Sequence, residues 1–177
     1  MKNVLLALLL VVVLPTNAKT RTETAGDILQ VALPLAGLGV AWWKGDDEGV
    51  EQQIKGALIT GTITHGLKFA IEEQRPNGKS WDSFPSGHTS AAFSGAAFLH
   101  HRYGIEYGLP AYVAASYVGY SRCYASKHWE TDVLAGAVLA YTVSYYVTTE
   151  YNDPSLSVAP ARFGNTDAQG IVISYSI

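Results

Sequence analysis

Five stretches without Asp, Glu, Lys or Arg, at 28–43, 56–67, 83–101, 107–121 and 133–149, alternate with short polar joints along the chain. Each is long enough for roughly three to five helical turns, and together they predict five helices. The first ends near the polar turn at 44–47. The second runs over 49–72 until Pro76 forbids its continuation, and the third begins at Ser86. The fourth follows a joint at 103–108 with Pro110 in its first turn, and the fifth starts near Lys127. Alanine, glycine, serine and threonine recur in the second, third and fifth stretches, so their backbones can approach closely. The predicted fold is all-α, an up-down bundle of about five helices. In such a bundle the end of the second helix, the start of the third, the end of the fourth and the start of the fifth share one end.

Both termini differ in character from this core. Lys2 precedes an apolar run at 4–14 and then Pro15-Thr16-Asn17-Ala18. That run is too short to cross a bilayer and reads as a secretory signal peptide over 1–18, cleaved after Ala18. The helical domain then covers 19–150. The tail at 151–177 opens on a turn and closes on β-formers, with Ile173, Tyr175 and Ile177 alternating. It reads either as one strand of a short C-terminal β-hairpin or, lacking a partner strand, as an unstructured end.

Composition sharpens the picture. Charged residues make up 15% of the chain and apolar ones 48%, against about 25% charged in ordinary soluble domains, so much of the surface is buried or faces lipid. No stretch reaches the roughly 20 uninterrupted apolar residues of a typical span. Charge depletion favours a membrane-embedded bundle, and a soluble periplasmic protein is the alternative. With an exported N-terminus, the expected location is the inner membrane with the active site facing the periplasm. Arg102 in the third joint then obeys the positive-inside rule, whereas Asp46, Asp47 and Glu48 do not. Trp42, Trp43 and the tyrosines at 141, 145, 146 and 151 read as interface belts or as core aromatics. A net charge of -3 without a basic run excludes nucleic acid as a partner. The single cysteine, Cys123, reads as a small buried side chain.

Three clusters carry chemistry: Lys68 with Arg75-Pro76, Pro85-Ser86-Gly87-His88, and Ser121-Arg122 with His128 and Asp132. Lys68, Arg75 and Arg122 can neutralise the oxygens of a phosphate. His128 and Asp132 are four apart and would share a helix face. The carboxylate can then fix the ring tautomer, leaving the opposite nitrogen as a nucleophile. His88, near a helix start that favours anions, suits the general acid that protonates the leaving oxygen and then the base that activates water. His65, His100 and His101 read as structural, Lys79 as solvated, and Glu72 and Glu73 as helix-end charges or substrate selectors. The Asp46-Asp47-Glu48 run reads as a solvated turn. The histidines lack metal-site spacing, so no metal or other cofactor is expected.

These clusters, Lys-x6-Arg-Pro, Pro-Ser-Gly-His and Ser-Arg-x5-His-x3-Asp, resemble the type 2 phosphatidic acid phosphatase superfamily, which includes bacterial acid phosphatases and vanadium haloperoxidases. All eleven specified positions occur in order between Lys68 and Asp132. The resemblance implies a metal-independent phosphatase with His128 as nucleophile, His88 as acid and Asp132 orienting His128. It also implies that Lys68, Arg75, Ser86, Gly87 and Arg122 bind phosphate. Only eight residues separate Pro76 from Pro85, which leaves little room for a substrate lid. The expected activity is hydrolysis of a phosphomonoester or pyrophosphate bond of a membrane lipid through a phosphohistidine. The alternatives are a soluble periplasmic acid phosphatase acting on small phosphomonoesters, a vanadate-dependent haloperoxidase, and a non-catalytic envelope protein with a vestigial site.

Overall fold

The computed structural model describes residues 18–152, 156–162 and 169–175. Five helices follow one another: α1 (Ala18–Trp43), α2 (Asp47–Ala70), α3 (Gly87–Tyr103), α4 (Ile105–Tyr124) and α5 (Glu130–Val147). Two strands, β1 (Leu156–Arg162) and β2 (Gln169–Tyr175), close the chain. The all-α bundle of five helices is as expected, and the tail is the hairpin of the two alternatives: β1 and β2 pair antiparallel from Leu156 opposite Tyr175 to Arg162 opposite Gln169. The signal peptide read over 1–18 lies, apart from Ala18, outside the described residues.

Packing centres on α3, which touches all four other helices. Its residues Ala92, Ala96, Phe98 and Leu99 meet Leu33 and Ala41 of α1 and Ala111, Ala115 and Val118 of α4 in one buried cluster. Small side chains let the backbones close up. A Cβ on Gly95 would lie 2.5 Å from the Leu33 carbonyl carbon, and one on Gly136 of α5 would lie 2.8 Å from the Ser86 carbonyl oxygen.

Three boundaries differ from the sequence reading, each for a local reason. First, α1 begins about three turns before residue 28, because the charges that mark a loop in the sequence are spent at the bundle end. There Glu23 pairs with Lys127, and Asp27 with Arg122. Second, the joint at 103–108 shrinks to Gly104, whose φ of +92 suits a residue without Cβ. Gly108 belongs to α4 and packs on α3, since a Cβ there would stand 2.4 Å from that of His100. Third, α5 begins at Glu130, so His128 lies in the preceding loop rather than on the helix.

The end away from the three clusters is held by a buried ion pair. Arg102 donates to Asp46 Oδ1 at 2.5 Å and to Oδ2 at 2.7 Å, and also reaches the Thr149 carbonyl. Tyr103 donates its hydroxyl to Asp46 Oδ2 at 2.6 Å. Asp46 also accepts from the Gly49 amide and so caps α2. Asp46 and Arg102 are therefore interior residues tying α2, α3 and the end of α5 together. They are neither a solvated turn nor a surface positive charge.

Candidate active site

At the other end, a cavity of about 510 Å³ opens between α1, α2 and α3. Lys68, Arg75, Gly87, His88 and His128 all line it, together with Asp82 and His65. Element order alone accounts for this meeting: Lys68 is in the last turn of α2, Gly87 and His88 open α3, and His128 precedes α5.

Two loops complete the end wall. In the first, Arg75 and Ser80 bond across a turn at Gly78, whose φ is +70. Arg75 Nη2 donates to Asp82 Oδ2 at 3.1 Å, and Lys68 Nζ donates to the carbonyl of Asp82 at 2.6 Å. Both cations are thus anchored at one point, while the buried Nε of Arg75 has no acceptor among the described residues. The second loop is tied to the first through Asn77 donating to Ser126 and Trp129 Nε1 donating to Gln74.

His128 is buried, and its Nδ1 lies 3.4 Å from Asp132 Oδ2. The pair meets although the histidine is outside the helix, because Asp132 occupies the third position of α5 and turns back to accept the Trp129 amide at 2.9 Å. Ser83 donates its hydroxyl to the same carboxylate oxygen at 2.5 Å. The bond to Nδ1 leaves Nε2 of His128 as the lone-pair atom.

Two expected phosphate ligands are placed otherwise. Ser86 is fully buried as the cap of α3, its hydroxyl bonding Thr89 Oγ1 at 2.9 Å. The Gly87 and His88 amides that follow it find no acceptor among the described residues and stand free for an anion. Arg122 is also fully buried. It donates Nη1 to Asp27 Oδ1 at 2.7 Å, Nη2 to the Glu23 carbonyl and Nε to Ser121 Oγ. Asp27 Oδ1 in turn lies 3.0 Å from His88 Nε2. Arg122 therefore reaches the site through Asp27, not through the cavity wall.

The PAP2 superfamily matches residues 54–154, more than half of the chain and a span that includes Lys68 to Asp132. The chain belongs to the PAP2 superfamily. It is a phosphatase of the PAP2 type, as its motifs implied. It is 30% identical over 167 residues to a lipid A 4'-phosphatase of Helicobacter pylori, covering 86% of this chain and 84% of that protein. It is 36% identical over 106 residues to a lipid A 1-phosphatase of Porphyromonas gingivalis, covering 56% of this chain but 24% of the relative. Among solved structures, Aquifex aeolicus LpxE is similar in fold, with a TM-score of 0.64 at 22% identity over 73% of this chain and 84% of that one. The transmembrane PAP2 type phosphatidylglycerolphosphate phosphatase of Bacillus subtilis superposes with a TM-score of 0.57 at 26% identity, over 73% and 72%.

Within this PAP2 site the loop groups have displaced acidities. Burial, then the charges of Lys68 and Arg75, push His128 down to about 4 against the opposing pull of Asp132. The ring is accordingly neutral at ordinary pH. The Ser80 hydroxyl, then Arg75 and Lys68, hold Asp82 below the usual carboxylate range despite its burial. Burial and the neighbouring Asp132 push Glu73 above it.

Asp27, Ser83 and Asp82 are site residues that the motifs do not name. In the sequence Asp27 is the last charge before the charge-free run at 28–43 and reads as an ordinary helix N-cap, so nothing there marks it as a site residue. Nothing in the local sequence singles out Ser83.

Proposed function

We propose that this PAP2 phosphatase removes a phosphate from a membrane lipid, with lipid A as the favoured substrate class, through a phosphohistidine on His128. The observation that carries the reading is the His128–Asp132 pair beside a cavity walled by Lys68 and Arg75. A phosphate seated on the Gly87 and His88 amides meets both cations, whose charge offsets that building on its oxygens. His128 Nε2 attacks phosphorus, and Asp132 compensates the positive charge that develops on the ring. The bond to the leaving oxygen breaks as His88 protonates that oxygen. His88, now neutral, takes a proton from water, whose oxygen attacks the phosphohistidine and releases inorganic phosphate. Asp27 offsets the charge of the His88 imidazolium, and Arg122 offsets that of Asp27.

Support for a lipid comes from the outside of the bundle. Ile28, Val31, Leu35, Leu58, Ile63, Leu109, Val113, Leu134 and Val138 are exposed on charge-free stretches of α1, α2, α4 and α5. So many large apolar side chains exposed on charge-free helices suit a lipid-facing surface. Exposed aromatics flank it, with Phe69, Trp81 and Trp129 towards the cavity and Trp42, Trp43 and Tyr146 at the opposite end, as at membrane interfaces. The Arg21–Trp43 segment of α1 has the length and hydropathy to cross a bilayer. The two relatives named as lipid A phosphatases favour that lipid. The apolar run at 4–14 supports an inner-membrane location with the cavity facing the periplasm.

The test is phosphate release by purified protein, with chelator present, from lipid A, from other lipid phosphates and from a soluble aryl phosphate. Acid-labile phosphate trapped on the wild type and absent from His128→Ala is expected, with lipid substrates preferred. Release from soluble esters alone would leave a periplasmic acid phosphatase. Halide oxidation with vanadate and no phosphate release would point to a haloperoxidase.

A further inference from the structure

Below the phosphate end, the cavity is lined by several residues that carry hydroxyls. Thr60, Thr64 and Lys68 succeed one another at intervals of four on one face of α2, and all three line the cavity. Thr60 and Thr64 are each 2% exposed, and the Oγ1 of each lacks a hydrogen-bond partner among the described residues. Buried hydroxyls are ordinarily satisfied, in helices often by a backbone carbonyl one turn back. Facing them on α3 are Ser90 and Ser94, which donate to the Ser86 carbonyl at 3.0 Å and the Ala91 carbonyl at 2.8 Å. Their protons are committed, while their oxygen lone pairs remain open. Gln30 of α1 lines the third side.

We propose that Thr60 and Thr64 form a second subsite, which hydrogen-bonds the oxygen-rich group carrying the phosphate and so selects phosphates borne on a sugar or polyol over those borne directly on a hydrocarbon chain. The inference rests on the proposed seat of the phosphate beside Lys68. From there the helical rise puts Thr64 about 6 Å and Thr60 about 12 Å along α2, the range spanned by the ring and first linkage of a phosphorylated sugar. A hydrocarbon in the same place leaves both hydroxyls without partners, whereas ring hydroxyls and carbonyl oxygens satisfy them. A site built to pair with polar groups rejects ligands that lack them more strongly than an apolar site rejects an added hydroxyl.

The experiment compares hydrolysis of a glucosamine-based saccharolipid phosphate and a polyprenyl phosphate in the same detergent micelles. The double variant Thr60→Val, Thr64→Val keeps side-chain shape and removes both hydroxyls. It is expected to lower kcat/KM for the saccharolipid about 10- to 100-fold, at roughly 3- to 10-fold per neutral hydrogen bond, with the polyprenyl phosphate within twofold of wild type. The pair Thr60→Ser, Thr64→Ser restores the hydroxyls and is expected to restore the saccharolipid rate, which a role in packing alone would not produce. Equal losses on both substrates, or none on the saccharolipid, overturn the subsite. Failure of the underlying reading looks different: activity on either lipid would survive His128→Ala, or wild type would release no phosphate from both.

Discussion

Asp27 on α1 lies 3.0 Å from the Nε2 of His88 on α3, and the same carboxylate oxygen accepts Arg122 from α4. Three helices thus meet on one oxygen, and the charge of a buried guanidinium is transmitted to the proposed acid.

Asp27→Asn is therefore expected to lower kcat about 10-fold or more for substrates with poor leaving groups, and less for an aryl phosphate whose leaving oxygen needs no proton. Uniform loss across leaving groups would contradict a role through His88. The measurement is a series of kcat values against leaving-group acidity.

Gly26→Ala should harm the same contact without touching charge. Its Cβ would stand 2.0 Å from Ser121 Oγ and 2.6 Å from Arg122 Nη2, and both of those residues are fully buried. Helix α1 must then shift away from α4 and carry Asp27 with it. A melting temperature several degrees lower and a reduced kcat are expected together. Wild-type values for both would show that α1 does not sit this close in the working enzyme.

At the proposed nucleophile, His128→Ala should abolish turnover. Asp132→Asn should cost about 10⁴-fold by analogy with other residues that hold a catalytic imidazole. Ser83→Ala should cost far less, since the Trp129 amide still holds the carboxylate. If Ser83→Ala proves as damaging as Asp132→Asn, the hydroxyl has a direct part in the chemistry.

The pH profile follows from the lowered acidity constant of His128. In the proposed mechanism its neutral form attacks, so kcat/KM should fall as pH drops through about 4. Arg75→Gln removes a neighbouring positive charge, which makes protonation easier, so the acid limb should move to higher pH. Movement to lower pH would contradict the assignment. Stability has the same sign: the folded state refuses a proton that an unfolded imidazole accepts near 6.5, so stability should decline from about pH 6.5 towards 4.

Far from the cavity, Arg102→Met should destabilise the bundle by about 3–5 kcal/mol, because it strands Asp46 in the interior. The kcat of the folded fraction should hardly change. Thermal unfolding in detergent and active-site titration separate the two effects.

Five helices and three clusters at one end were legible because charge-free runs mark helices and because alternation of direction brings Lys68, His88 and His128 together. Boundaries were less legible where a residue serves two purposes. Gly108 looks like a joint but packs α4 on α3, and the charges before residue 28 look like a loop but serve the site. The pairing of His128 with Asp132 was expected from helix spacing, yet it arises from a carboxylate capping the start of α5.

By itself the sequence determined the chemical inventory, the family and the order of the helices, since these depend on residue type and on contacts close along the chain. Tertiary structure alone decided that Arg122 is neutralised by Asp27 and that Arg102 is buried on Asp46. Those partners are 95 and 56 residues apart. Only the packed bundle shows which donor and acceptor, among many that composition allows, are shut away from water together.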